Sequence, residues 1–154
     1  MRSARKRSKS VVGLAFLQPP APRLIAIGGL SGSGKTALAR RLAPILGTPP
    51  GALVLRSDVI RKSLAGLTPS QRLPADSYTR ASSEIVYQAL RQRAAALLAT
   101  GQSVIVDAVH ARPEERAAIA EVASDAGLRF DGLWLQTPHE TAAERIRARR
   151  DDAS

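Results

Sequence analysis

Short apolar runs alternate with amphipathic stretches along most of the chain. The run RLIAI (23–27) stops at Gly28-Gly29, the pattern of a buried parallel strand. Leu38, Leu42 and Ile45 then recur at helical spacing on one face, and Pro44 and Gly47 close that helix. ALVL (52–55) predicts a second strand ending at Arg56-Ser57-Asp58. A segment rich in Pro and Ser, 66–77, leads into a long helix from about 77 to 100, with Asp76 or Ser77 as its cap. Ile85, Val86, Ala89, Leu90, Leu97 and Leu98 form its apolar face and Gly101 ends it. SVIV (103–106) is the third strand, closed by Asp107. Pro113 opens a helix that turns Ile119, Val122 and Ala126 inward and stops at Gly127. FDGLWLQ (130–136) is the fourth strand, and Thr137-Pro138-His139-Glu140 is a capping box for a last helix that gives way to a loop near Asp151 and Asp152.

Four strand–helix units with short connections predict an α/β fold: a mainly parallel sheet covered by helices on both faces, in three layers. In such sheets ligands bind outside the carboxyl ends of the strands. That rule singles out the loop from Gly29, Asp58, Asp107 and Gln136-Thr137. The length of 154 residues suits one domain, expected over 23–154. Residues 1–22 are expected to be a flexible flank, basic at first and ending in a stiff Pro-rich connector from Pro19 to Pro22.

Charge alters this picture less than its total suggests. The net charge is +10, but Arg2, Arg5, Lys6, Arg7 and Lys9 supply half of it within ten residues that contain no acid. With aromatics at 3%, the chain lacks the stacking platforms of single-stranded nucleic acid binders, so nucleic acid is not the expected partner. Zero cysteines exclude a disulfide framework, a thiolate metal site and a cysteine nucleophile. No apolar run approaches the ~20 residues of a membrane span. The basic start followed by VVGLAFL imitates a secretory leader, but QPPAPR stands where a small-residue cleavage site belongs. A cytoplasmic, membrane-free protein is expected.

The strongest chemical signal is GLSGSGKT, Gly29 to Thr36, which fits G-x-x-x-x-G-K-[ST] at every fixed position between a strand and a helix. Gly29, Gly32 and Gly34, with Ser31 and Ser33 between them, let successive backbone N–H groups face an anion. The helix starting near Lys35 adds its positive end. Lys35 can reach the β- and γ-phosphates of a nucleotide, and the Thr36 hydroxyl can ligate Mg²⁺. Asp107, after four apolar residues, can hold the magnesium shell; a plain turn role is the alternative. In RSDVIRK, Asp58 can accept the proton of an attacking hydroxyl, and Arg61, one turn on, can hold an anionic acceptor or the transferring phosphoryl group. A helix cap at Asp58 and a solvated Arg61 are the competing readings. In the last helix Arg145 and Arg149 share a face and can close over phosphates, unless that end is simply a solvated basic one. His110, three residues beyond Asp107, is a weaker candidate for a ligand contact, and His139 is expected at the surface. No Ser-His-Asp arrangement can be placed, and no N-K-x-D base-reading motif of GTPases is present.

Together GLSGSGKT, RSDVIRK, SVIVDAVH and ERIRARR resemble the small P-loop kinases, also described as AAA-type ATP-binding proteins. Polynucleotide 5′-kinases, chloramphenicol phosphotransferase, gluconate kinase and zeta toxins are relatives of that group. The likeness is closest to the kinase-like domain fused behind an aminoglycoside-phosphotransferase-like domain, and covers roughly 16–154. It implies an ATP-dependent phosphotransferase acting on a small-molecule hydroxyl, with ATP and Mg²⁺ as cofactors. By that resemblance Lys35 lies on the phosphates, Thr36 on Mg²⁺, Asp58 and Arg61 at the acceptor, and Arg145 and Arg149 in a lid. An aminoglycoside-phosphotransferase-like domain, fused or separate, is an implied partner. Such folds carry a fifth strand and an adenine-holding loop after the lid, whereas this chain runs out at RRDDAS; the last strand is expected to be missing. An ATP-binding regulatory or accessory module without turnover is therefore the alternative reading.

Overall fold

The computed structural model describes residues 20–151, without the side chains of 75, 76 and 149–151. The basic part of the expected N-terminal flank thus lies outside the described residues, as does the side chain of Arg149. Four strands, β1 (Arg23–Gly29), β2 (Leu53–Arg56), β3 (Val104–Asp107) and β4 (Arg129–Leu135), form one sheet in the order β2-β3-β1-β4. Every pairing is parallel. The helices are α1 (Lys35–Leu42), α2 (Ser57–Leu64), α3 (Arg80–Ala99), α4 (Pro113–Asp125) and α5 (His139–Asp151).

The period-2 alternation of strand side chains sorts the core into two layers. On one face Leu24 and Ala26 of β1 and Val104 and Val106 of β3 pack with Ile60 of α2, Val86 and Leu90 of α3, and Ile119 and Ala123 of α4. On the other face Ile25, Ile27 and Ile105 meet Ala39 of α1. This is the expected three-layer α/β architecture. The central strands β1 and β3 are covered on both sides, which is why their sequences are continuous apolar runs.

Several boundaries differ from the sequence-based expectation. The first helix ends at Leu42 and tightens into a 3₁₀ turn over Ala43–Ile45, which rotates Ile45 out to 76% exposure. The long helix starts at Arg80, not near 77, and its cap is Thr79, whose Oγ1 accepts from the Ser82 N–H at 3.1 Å. Neither Asp76 nor Ser77 caps it, because a 3₁₀ turn over Ala75–Tyr78 intervenes. Ile85 is exposed rather than inward, and Tyr87 is buried in its place. In α4 the inward residue is Ala123 rather than the exposed Ala126. The last helix begins at His139 and continues through Asp151. Among the described residues β2 and β4 are the edge strands, no strand follows β4, and no helix is long and apolar enough to cross a membrane.

Candidate phosphate-binding and phosphoryl-transfer site

The strand order makes β1 the branch point of the sheet. The chain leaves β1 to build β2 beyond β3, while β4 adds on the other side. The crevice at the carboxyl ends of β1 and β3 is therefore the expected ligand site. The loop from Gly29 opens there, with φ of +138°, +83° and +95° at Gly29, Gly32 and Gly34. The Gly29 N–H donates to Val109 O at 3.0 Å, tying the loop to the segment after β3. Gly34 is the N-cap of α1 and makes no side-chain cap, so the positive end of that helix opens at the end of the glycine loop. Lys35 Nζ donates to Leu30 O at 2.8 Å and lies 3.5 Å from Ser33 Oγ, folded along the loop it would serve.

In the first turn of α1, Thr36 Oγ1 donates to Asp107 Oδ2 at 2.6 Å. Asp107 is buried at the end of β3, aligned with Ile27 of β1 on one side and Arg56 of β2 on the other. Thr36, in the helix after β1, and Asp107, at the end of β3, thus meet across 71 residues of sequence. The hydroxyl and the carboxylate are hard oxygen donors of the kind Mg²⁺ takes together with substrate phosphates, so the pair fits that ion.

Asp58 lies in the first turn of α2, two residues beyond Arg56 and hence at the same edge of the sheet. It is not the helix cap, since Arg56 holds the N-cap position; its carboxylate is half-exposed and pairs with Lys62 at 3.6 Å. Arg61 is not solvated either. Its guanidinium donates to Ser77 O, Ser82 Oγ and Ser83 Oγ at 3.0–3.3 Å and stacks over the Tyr78 ring at 4.9 Å, linking α2 to the start of α3.

The last helix rests on the phosphate loop. A Cβ on Gly32 would come within 2.5 Å of Ala142 O, so only glycine permits that approach. Arg145 donates to Gly32 O at 3.3 Å, and Thr137 Oγ1 donates to Ser33 O at 3.3 Å. The Thr137 hydroxyl, expected to cap α5, is thus directed at the loop.

His110 is buried, at 2% exposure, in the left-handed region with φ +49°. Its backbone N–H donates to Tyr87 Oη at 2.9 Å, while both ring nitrogens lack a hydrogen-bond partner. Burial lowers its pKa from 6.5 to about 4, so the ring is neutral at pH 7. It borders an apolar cavity of about 170 Å³ that Phe130 and Trp134 of β4 also line, away from the loop's Lys35 and Thr36. Sequence reasoning did not single out Tyr87 or Arg56. The second carried only a positional signal, being a cation at the carboxyl end of a strand.

The family model described as an AAA domain matches residues 24–154. The chain belongs to this family. A curated relative of this AAA domain, an uncharacterized protein of Mycobacterium tuberculosis, is 32% identical over 143 residues, covering 90% of this chain and 28% of the relative. A protein of Mycobacterium bovis matches to the same extent. The chain therefore spans little more than a quarter of the curated relatives it matches. Among solved structures, the AAA domain is similar to the APS kinase CysC of Mycobacterium tuberculosis in complex with AMPPNP and APS. That match has 26% identity and a TM-score of 0.66, over 88% of this chain and 75% of that one. A candidate kinase from Chloroflexus aurantiacus gives a TM-score of 0.69 at 22% identity, over 86% and 69%. These matches agree with the P-loop kinase resemblance read from the sequence: the AAA domain has a kinase-like P-loop fold.

Proposed function

We propose that this chain binds ATP with Mg²⁺ and transfers the γ-phosphoryl group to a hydroxyl of a small molecule. The observation that carries the reading is the convergence at one sheet edge: the Thr36–Asp107 pair sits beside Arg56, and Asp58 follows two residues later. Groups suited to the donor and a carboxylate suited to the acceptor thereby follow the carboxyl ends of neighbouring strands, which supports the reading. The likeness to an APS kinase solved with AMPPNP supports the nucleotide half of the reading.

In this scheme the loop N–H groups and the α1 N-terminus hold the phosphates, and Lys35 exchanges its bond to Leu30 O for a phosphate oxygen. Thr36 and Asp107 would hold Mg²⁺, which would supply charge neutralisation on the phosphates. Asp58 takes the proton as the acceptor O–H bond breaks. The hydroxyl oxygen attacks the γ-phosphorus in line, the bond from that phosphorus to the bridging oxygen breaks, and ADP leaves with the electron pair. Arg145, already on the Gly32 carbonyl, is positioned to offset charge on the transferring group, and Arg149 is assigned the same role. Arg61, anchored by three serines, orients the acceptor side through the α2–α3 contact.

The test is incubation with γ-labelled ATP and a panel of acceptors, beginning with APS and continuing through sugars, aminoglycosides, simple alcohols and nucleotides. Labelled product from the wild type and none from Lys35→Ala supports the reading. Calorimetric ATP binding without any product overturns phosphotransfer and leaves a nucleotide-binding accessory module in its place.

A further inference from the structure

Arg56 is a charged side chain beside Asp107 to which the scheme above gives no chemical role. Its backbone pairs with Asp107 in the β2–β3 register, so the base of the side chain cannot move away from that carboxylate without breaking the sheet. Arg56 Nε lies 3.6 Å from Asp107 Oδ2, the same oxygen that accepts from Thr36. That distance is beyond a hydrogen bond, and Nε is buried with no other partner. The Arg56 side chain is 34% exposed against 6% for Asp107, so Arg56 keeps contact with solvent while the carboxylate does not.

A buried carboxylate without a counter-charge is costly. Here the counter-charge is a cation fixed beside the oxygens best suited to a divalent ion. We infer that Arg56 is a built-in counter-ion of Asp107, against which a divalent cation must compete for this carboxylate. This rests on the assignment of Thr36 and Asp107 as the cation site in the proposed function. An unbonded Nε suits that role, since drawing Oδ2 away from Arg56 gives up an electrostatic contact and no hydrogen bond between the two side chains. A purely structural Arg56 would make the opposite prediction: its loss would loosen β2 and weaken every ligand.

The experiment measures Mn²⁺ binding to the nucleotide-free full chain by electron paramagnetic resonance of the free ion. Removing one positive charge a few ångströms from a divalent ion at a partly wetted site should tighten Mn²⁺ binding about tenfold in Arg56→Gln. Arg56→Met should behave alike and stands in if the glutamine variant fails to fold. Arg56→Lys, which keeps the charge, should bind as the wild type does. Arg129→Gln, which removes an equal charge at the opposite end of the sheet, should change nothing. Unchanged or weaker Mn²⁺ binding in both neutral variants, or no binding in any protein, overturns the inference. A parallel titration of the wild type with ATP in excess chelator separates the two claims: absent binding there counts against the nucleotide reading, and the Mn²⁺ comparison still decides the role of Arg56.

Discussion

Replacing His110 with Phe should flatten the acid limb of the protein's stability curve. The imidazole is buried with both ring nitrogens unbonded, and burial is the largest cause of its depressed pKa of about 4. Glu115 and Asp107 pull the value up and Arg116 and Lys35 push it down, and the burial cost prevails. Unfolding returns the ring to water and a pKa of 6.5. Between those values the unfolded chain binds a proton that the folded one refuses, so stability is full above about pH 6.5 and is lost as pH falls toward 4. The full difference of roughly 2.5 units corresponds to about 3 kcal/mol, a large part of a small domain's stability. Phe fills a similar volume without nitrogens, and the backbone N–H bond to Tyr87 Oη is unaffected. The assay is urea unfolding followed by circular dichroism, from about pH 8 down to pH 4.5 at fixed ionic strength. The difference between variant and wild type should grow by about 2–3 kcal/mol in favour of Phe as the pH drops. Two curves that fall in parallel would refute the reasoning, because the carboxylates common to both proteins would then account for the whole acid limb.

Gly32→Ala should cost at least about 2 kcal/mol in thermal or urea unfolding, from the left-handed φ and the overlap with Ala142. It should also weaken ATP binding by calorimetry more than tenfold, whereas unchanged values would show that α5 does not rest on the loop in solution. Tyr87→Phe removes the oxygen that accepts from His110 N–H and should destabilise the fold by about 1–3 kcal/mol in the same urea assay. In the wild type, absorbance titration should find no tyrosinate from Tyr87 until near pH 12, because burial pushes its pKa up to about 12. Asp58→Asn should lower the rate of phosphoryl transfer by about 10² or more with ATP affinity unchanged, measured by product formation and calorimetry. Loss of ATP affinity instead would place Asp58 on the donor side.

Much of the fold was legible because the two central strands are covered on both faces and must be apolar throughout. LIAI and VIV cannot be read as anything half-exposed. The loop from Gly29 to Thr36 was equally plain, since its glycines answer a backbone requirement rather than a packing choice. What failed was local. Helical periodicity placed Ile45 inward because nothing in it marks the change to a 3₁₀ turn at Ala43. Ile85 and Tyr87 flank Val86 on neighbouring sides of α3, and which of them is buried depends on the elements that α3 meets. Arg56 could not be connected to Asp107 before strand order was known, because β2 and β3 are separated by the whole of α2 and α3. The partners of Arg61 were hidden for the same reason, being supplied by a 3₁₀ turn and the start of α3.

The central claim, that the loop holds ATP so that its terminal phosphoryl group can move to a hydroxyl, is tested most directly by the position of the label. The protein is incubated with Mg²⁺, the acceptor panel and ATP labelled at either the γ- or the α-phosphorus. The account predicts a labelled acceptor from γ-labelled ATP alone, with its formation abolished in Lys35→Ala. An acceptor labelled from the α position, or γ-label recovered only as ATP and inorganic phosphate, would contradict it.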